Sequence, residues 1–412
     1  MWLRNVLIPH CVRGFASDAS LFDVCIEKEH VAQVNAAQAA INTVASGILL
    51  PALADVHVHI DKTFVVHEVG AADGDLFKAI TRMGEHRARW SADSIRTRME
   101  QALGLAYASG TRAMRTHLDW VVPGKPVSLG VFEALQKEWR GRIALQCVSL
   151  TPLDFFDDAF AGEELALEVA CVNLAGQTGQ PSLGEAALLG AFVYRNSRIY
   201  DKLQRVFDLA IKNNLQLDFH VDEGLDADAC GLRAIAELTV KNNYQGKVTC
   251  GHACSLSMQP LPQALHTLAL CAKAGIHLVA LPTTNLYLQG AWDTTPVERG
   301  ITRLKEAMAQ GNAACIATDN VADSFYPYGS YDLLQSFALG VQAAHLSPAI
   351  DSLGTVTTAP ARAMGLPWDG AIAVGCPADL VLLAARNTFE LITPGGLRRT
   401  VIRKGEVVAQ EP

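Results

Sequence analysis

The sequence predicts a (β/α)8 barrel carrying a small β-sandwich domain built from both chain ends, and three observations predict it. Between about residues 51 and 360, short apolar runs alternate with longer amphipathic stretches, the pattern of βα units around a parallel sheet. Both ends read instead as short strands broken by glycine and proline, and neither end has enough strands to close a core alone. Titratable residues gather where predicted barrel strands end, the face on which such barrels carry their sites.

The bulk composition supports a large folded protein. Of 412 residues, 50% are hydrophobic and 18% charged, so much of the chain must be buried. The net charge of -8 comes with no basic run able to track a phosphate backbone, which argues against nucleic acid as a partner. No stretch of 18 apolar residues occurs, and the N-terminal MWLRNVLIPHCVRGF has no long apolar segment followed by a cleavage site. A soluble cytoplasmic protein without a membrane partner is expected. The ten cysteines form no CxxC pair and read as buried thiols in a reducing compartment. Cys250 and Cys254 flank a histidine, but their strand context marks them as buried thiols rather than ligands.

Eight barrel strands are predicted: LADVHVH (53–59), TRAMRTHLD (111–119), IALQCVSL (143–150), AALLGAFVY (186–194), LQLDFHV (215–221), KVTCGHA (247–253), IHLVALP (276–282) and AACIATD (313–319). Helical stretches such as 93–110, 198–214 and 261–275 separate them and end in Gly or Asn-Asn, as helix C-termini often do. An open doubly wound sheet would be favoured by a glycine-rich phosphate fingerprint after the first strand, and the sequence has none. At the ends, 3–8, 21–34 and 45–50 pair with 378–385, 399–405 and 406–410 in the simplest arrangement. The expected division is 1–50 plus 361–412 for the small domain and 51–360 for the barrel.

The first strand runs Asp55-Val56-His57-Val58-His59-Ile60-Asp61-Lys62. His57 and His59 are two apart on a strand, so both rings face one side and form half of a divalent-metal site. Alone, such a pair could equally be two solvated histidines. Three more segments add weight: His220-Val221-Asp222-Glu223 after the fifth strand, Gly251-His252-Ala253 on the sixth, and Thr318-Asp319-Asn320 after the eighth. Imidazoles and carboxylates converging at a barrel mouth are costly to bury unless they bind a metal or one another.

These residues resemble the amidohydrolase superfamily. HVHIDKT, MRTHLD, FHVDE, GHA, NLYLQGAWDTTPVERGITRLKE (285–306), TDNVADSFYPYGSYDLLQ (318–335) and the segment Gly370–Leu383 resemble its cytosine deaminase branch in order and spacing. The resemblance implies that His57, His59, His220 and Asp319 hold one divalent metal ion, Zn²⁺ or Fe²⁺. Two-metal members carry a bridging Lys or Glu on the fourth strand. AALLGAFVY has neither (Glu185 precedes it), so one metal is expected. The resemblance further implies that Glu223 shuttles protons, that His252 polarises the attacking water or the tetrahedral centre, and that Asp319 joins in catalysis.

It also implies hydrolytic deamination of a small nitrogen heterocycle, a cytosine-like aminopyrimidine or a related ring, with release of ammonia, by a homo-oligomer. An N-alkylaminotriazine or cyclic-amide amidohydrolase is the alternative, and a catalytically silent metal-binding scaffold is one of another class. Two departures bear on the substrate. Cytosine deaminases carry a Gln after the third strand, where alignment puts Leu153, and two acids after the eighth, where this chain has Asp319-Asn320. Lys62 is expected either to bind a substrate oxygen or to pair with Asp61. Trp292, Phe325 and Tyr328 either wall a flat ring or are ordinary core. Lys62, Leu153, Asn320 and Phe325 are therefore the candidate substrate-binding residues.

Overall fold

The computed structural model describes residues 1–38, 44–121, 124–175, 186–298, 300–392 and 397–410. Its strands are β1 (Trp2–Leu7), β2 (Phe22–Glu27), β3 (His30–Ala36), β4 (Gly47–Pro51), β5 (Leu53–Val58), β6 (Thr111–Asp119), β7 (Ala144–Leu150), β8 (Ala187–Val193), β9 (Leu217–Val221), β10 (Val248–His252), β11 (His277–Ala280), β12 (Ala313–Ile316), β13 (Leu380–Leu383), β14 (Arg399–Arg403) and β15 (Glu406–Gln410).

Strands β5 to β12 form one eight-stranded sheet in sequence order, with every neighbouring pair parallel. Each of the eight predicted strands is present. The sheet curls round so that Val58 forms a parallel bridge with Asp319, whose N–H donates to His57 O at 2.9 Å. The seam of the barrel thus lies at residues with expected metal duties. Helices cover the outside and bury apolar stripes against the strands, as in Ile199–Lys212, whose Leu203, Val206, Phe207 and Ala210 are all buried.

The two chain ends pair in a mixed seven-stranded sheet, ordered β15-β14-β13-β4-β1-β2-β3. β1 and β4 run parallel, and β13 from the C-terminal part lies antiparallel on β4, matching Leu380 with Pro51 and Leu383 with Ile48. Buried Val6, Phe22, Ile48, Leu50, Val381 and Ile402 hold this sheet together in a core that continues onto Leu333 and Phe337 of the barrel's outer layer. Deleting residues 385–412 removes β14 and β15, uncovers the edge of β13 and strips Ile402 from that core. We expect the truncated protein to aggregate and to melt at lower temperature. A soluble product with unchanged thermal melting would count against the pairing of the ends.

Of the ten cysteines none is bonded, and seven are fully buried, Cys250 and Cys254 among them. Cys171 is exposed, and Cys11 and Cys230 are half-buried, so the expectation of buried thiols fails at these three positions. Cys171 lies on the outer helix Ala159–Ala175, where a short side chain is tolerated on the solvent face. No helix among the described residues is long and apolar enough to cross a membrane.

Candidate active site

Alternation along the strands builds the site in layers. On β5 the inward residues are Asp55, His57 and, just beyond the strand, His59; on β6 they are Arg115, His117 and Asp119; on β9, Asp218 and His220. The lowest layer is a buried polar floor. Arg115 donates to Asp218 Oδ2 at 2.8 Å, Gln146 Oε1 at 2.9 Å, Thr249 Oγ1 at 3.1 Å and the Ala363 carbonyl at 2.9 Å. Such a buried guanidinium is tolerable because its donors are satisfied. Asp55 accepts from Thr318 N and Oγ1 and ties the first strand to the last.

Above this floor the donor atoms converge. His220 Nε2 lies 3.2 Å from His57 Nε2 and 3.2 Å from His59 Nε2, and Asp319 Oδ1 lies 3.6 Å and 3.3 Å from those same two nitrogens. A tetrahedral ion with bonds of about 2.1 Å needs donor separations of roughly 3.4 Å, and these four separations are close to it; His57, His59 and Asp319 also form one compact group of possible metal donors, and His57 and His220 another with His252. Both carboxylate oxygens of Asp319 are buried without a hydrogen-bond donor among the described residues, and a cation would take up their lone pairs instead. Burial works against its charge, yet His59 and His252 outweigh that and hold the carboxyl below its ordinary range. Burial, followed by the neighbouring rings, drives His57 and His220 well below the usual imidazole range, so both are neutral, as a ligand must be. The residues fit a divalent metal.

Local backbone geometry aims these groups. Asp319 (φ 66°) and His252 (φ 67°) lie in the left-handed region, a strained placement that recurs at functional sites. Gly251 is required by close approach, since a Cβ there would stand 2.8 Å from His57 Cε1. Asp222 turns away, also with positive φ, and its carboxylate accepts from the N–H groups of Gly231 and Leu232 at the start of the next helix. Glu223 is thereby left facing the mouth.

A cavity of about 630 Å³, its open mouth included, lies over the donor cluster. His59, His220, His252, Glu223, Lys62, Asn320 and Phe325 all line it. Burial, then the nearby Asp319 charge, raises the Glu223 carboxyl well above the usual range, which suits a group that must both take and give protons. Its Oε1 stands 3.4 Å from His252 Nδ1.

Lys62 pairs with Asp119, not with the Asp61 side chain. Asp61 instead accepts the Asp119 N–H at 3.0 Å, placing it one step behind. Burial disfavours the Lys62 charge, but Asp119 and then Asp61 outweigh it and keep the ammonium protonated. Asn320 donates to Asp323 Oδ2 at 2.6 Å.

Leu153 does not reach the cavity. It is buried in the barrel's hydrophobic core within a short 3-10 turn, and Leu150, Thr151 and Pro152 line the wall at that point. Trp292 and Tyr328 also stand outside it, exposed in an aromatic group with Tyr287 and Tyr326. Glu185 lies outside the described residues.

Four contributors went unassigned in the sequence. His117 stacks on His57 with ring centroids 4.0 Å apart, and Asp119 lines the cavity. The alternation that marked His57 and His59 also marks His117 and Asp119, and was there to be read. Arg87 reaches Asp119 from the helix Leu76–Arg87, whose Leu76, Ile80, Met83 and Arg87 form one cavity wall at helical spacing. Asn285 lies beside His252. Nothing local signals the contacts of Arg87 or Asn285.

Comparison with known proteins agrees with this geometry. Residues 166–409 match the amidohydrolase family. The chain is 41% identical over 366 residues to a pterin deaminase of Rhizobium rhizogenes, covering 88% of this chain and 80% of that protein. It is 23% identical over 376 residues to N-isopropylammelide isopropyl amidohydrolase of a Pseudomonas, covering 88% and 86%. Among solved structures, 5-methylcytosine deaminase of Klebsiella pneumoniae, liganded with phosphonocytosine, superposes with a TM-score of 0.83 at 26% identity, over 100% of this chain and 98% of that one.

Proposed function

Because the chain belongs to the amidohydrolase family, we propose that it is a metal-dependent hydrolase that removes the exocyclic amine of a flat nitrogen heterocycle as ammonia. One observation carries this: His220 and Asp319 each bring a donor atom within 3.2–3.6 Å of the His57 and His59 Nε2 atoms, with Glu223 lining the cavity over them. His57, His59, His220 and Asp319 would hold one Zn²⁺ or Fe²⁺. Such an ion supplies Lewis acidity that draws the pKa of a water in its reach toward neutrality.

The chain's own groups supply the rest. Glu223 takes one proton of the attacking water on its carboxylate and passes it to a ring nitrogen as the C–O bond forms; it then takes the remaining hydroxyl proton and gives it to the amine, so that the C–N bond breaks, ammonia leaves and a carbonyl remains. His252 donates toward the oxygen on which charge develops. Lys62, held by Asp119, offers a cation to a ring carbonyl, and Asn320 borders the same space. Leu76, Ile80, Met83, Phe192 and Phe325 give a flat ring its apolar walls. The catalytic unit is the barrel, 51–360, with 1–50 and 361–412 as the second domain.

A pterin heads the substrate panel because the relative with 41% identity bears that name. The experiment is ammonia release by metal-loaded protein from pterins, aminopyrimidines, aminopurines and triazines, and we expect turnover of a pterin or an aminopyrimidine. Likeness to the isopropylammelide enzyme supports a second reading, which release of an alkylamine from a triazine would favour. Metal binding without turnover of any of them would leave only a scaffold. Elemental analysis should find about one metal per chain, since the three possible donor groups among the described residues all share His57. Two equivalents in active protein would overturn the single-metal site.

A further inference from the structure

His252 is buried, its ring centroid 4.9 Å from that of His220 and 5.3 Å from that of His57. A neutral imidazole carries one N–H, and its partners decide which nitrogen holds the proton. Nε2 is buried without a hydrogen-bond partner among the described residues. Nδ1 has two neighbours. Asn285 Nδ2 lies 3.0 Å from it, and Glu223 Oε1 stands 3.4 Å away.

These neighbours pull in opposite directions. An ionised Glu223 draws the proton to Nδ1, which would turn a bare Nε2 lone pair on the reacting oxygen and remove the donor. An amide NH2 can only donate, so with Asn285 Nδ2 on Nδ1 the proton must sit on Nε2. Asn285 is fully buried on the helix Pro282–Leu288, and its Oδ1 has no donor among the described residues, so the one side-chain hydrogen bond it makes among them is to this ring. Just past the same helix, Gln289 Nε2 donates to the Glu223 carbonyl at 2.6 Å, so one element holds both groups in register.

We propose that Asn285 is a positioning residue that holds His252 as its Nε2–H tautomer, so that His252 presents a donor, not a lone pair, to the reacting oxygen. The inference rests on the role given to His252 above.

The test is ¹⁵N NMR of histidine-labelled protein loaded with zinc, which is diamagnetic. His252 is identified by the signals that vanish in His252→Gln. The native ring should show Nε2 protonated and Nδ1 bare. In Asn285→Asp the carboxylate can only accept, so the proton should move to Nδ1. kcat should then fall roughly 10²–10³-fold, the usual cost of one transition-state donor, with KM changed by less than a few-fold and zinc content intact. Should that variant fail to fold, the smaller Asn285→Ser should leave the two tautomers mixed. A native ring protonated on Nδ1, or a proton distribution unmoved in the variant that folds, overturns the proposal. Full turnover of His252→Gln would instead overturn the reading on which it rests.

Discussion

Replacing Glu223 by Gln should lower turnover by roughly 10²–10⁴-fold, the contribution of a positioned acid–base group, while metal content stays at the native level. The amide keeps the shape and reach of the side chain but can no longer take a proton. Glu223 is not within the set of four donor atoms, and its carbonyl, not its carboxylate, is tied down by Gln289. The substitution should therefore leave the cluster and the fold unchanged. Kinetics and elemental analysis on the same preparation decide the matter. Loss of metal would make Glu223 a ligand. Normal turnover with normal metal would remove the acid–base role and bring the triazine or cyclic-amide reading forward.

Asp319→Asn should cost the protein its metal and, with it, all measurable turnover. Asn tolerates the left-handed backbone that Asp319 adopts (φ 66°), and the N–H that closes the barrel onto His57 O is retained, so the fold should survive. What disappears is the carboxylate charge facing His57 and His59. Losing even an outer partner of a ligand weakens metal binding by about 10–100-fold, and loss of a direct ligand should exceed that. His57→Ala should behave alike. Its ring also stacks on His117, so a lower melting temperature is expected there and not for Asp319→Asn. A metal-replete, active Asp319→Asn would move the site elsewhere.

Much of the site was legible because strand geometry is local. A period of two turns His57 and His59 to one side whatever the rest of the chain does, and the same rule holds for Arg115, His117 and Asp119 on β6. The sequence marks their strand as a motif, and the same rule, with nothing added, turns these three polar residues inward. The eight βα units were legible for a similar reason, since apolar runs of strand length alternating with amphipathic helices have few ways to bury both.

Leu153 shows where this kind of reasoning stops. Counting along the chain placed it at the family's substrate-reading position, but a 3-10 turn after β7 rotates it into the core and leaves Thr151 and Pro152 at the wall. A turn of one residue more or less reverses which side chain faces the cavity, and no periodicity extends through a loop to set it.

From the sequence alone came the strands, the barrel, and the residue types of the candidate donor cluster and the nearby Glu223, because each follows from spacing within one element or from ends that must share a sheet. Only the tertiary structure decided that Lys62 pairs with Asp119 and not Asp61, that Arg87 brings a helix wall onto the same carboxylate, and that Asn285 meets His252. These contacts join different βα units. Their geometry depends on how strands stagger and loops turn around the closed ring, and that is settled by packing rather than by any pattern along the chain.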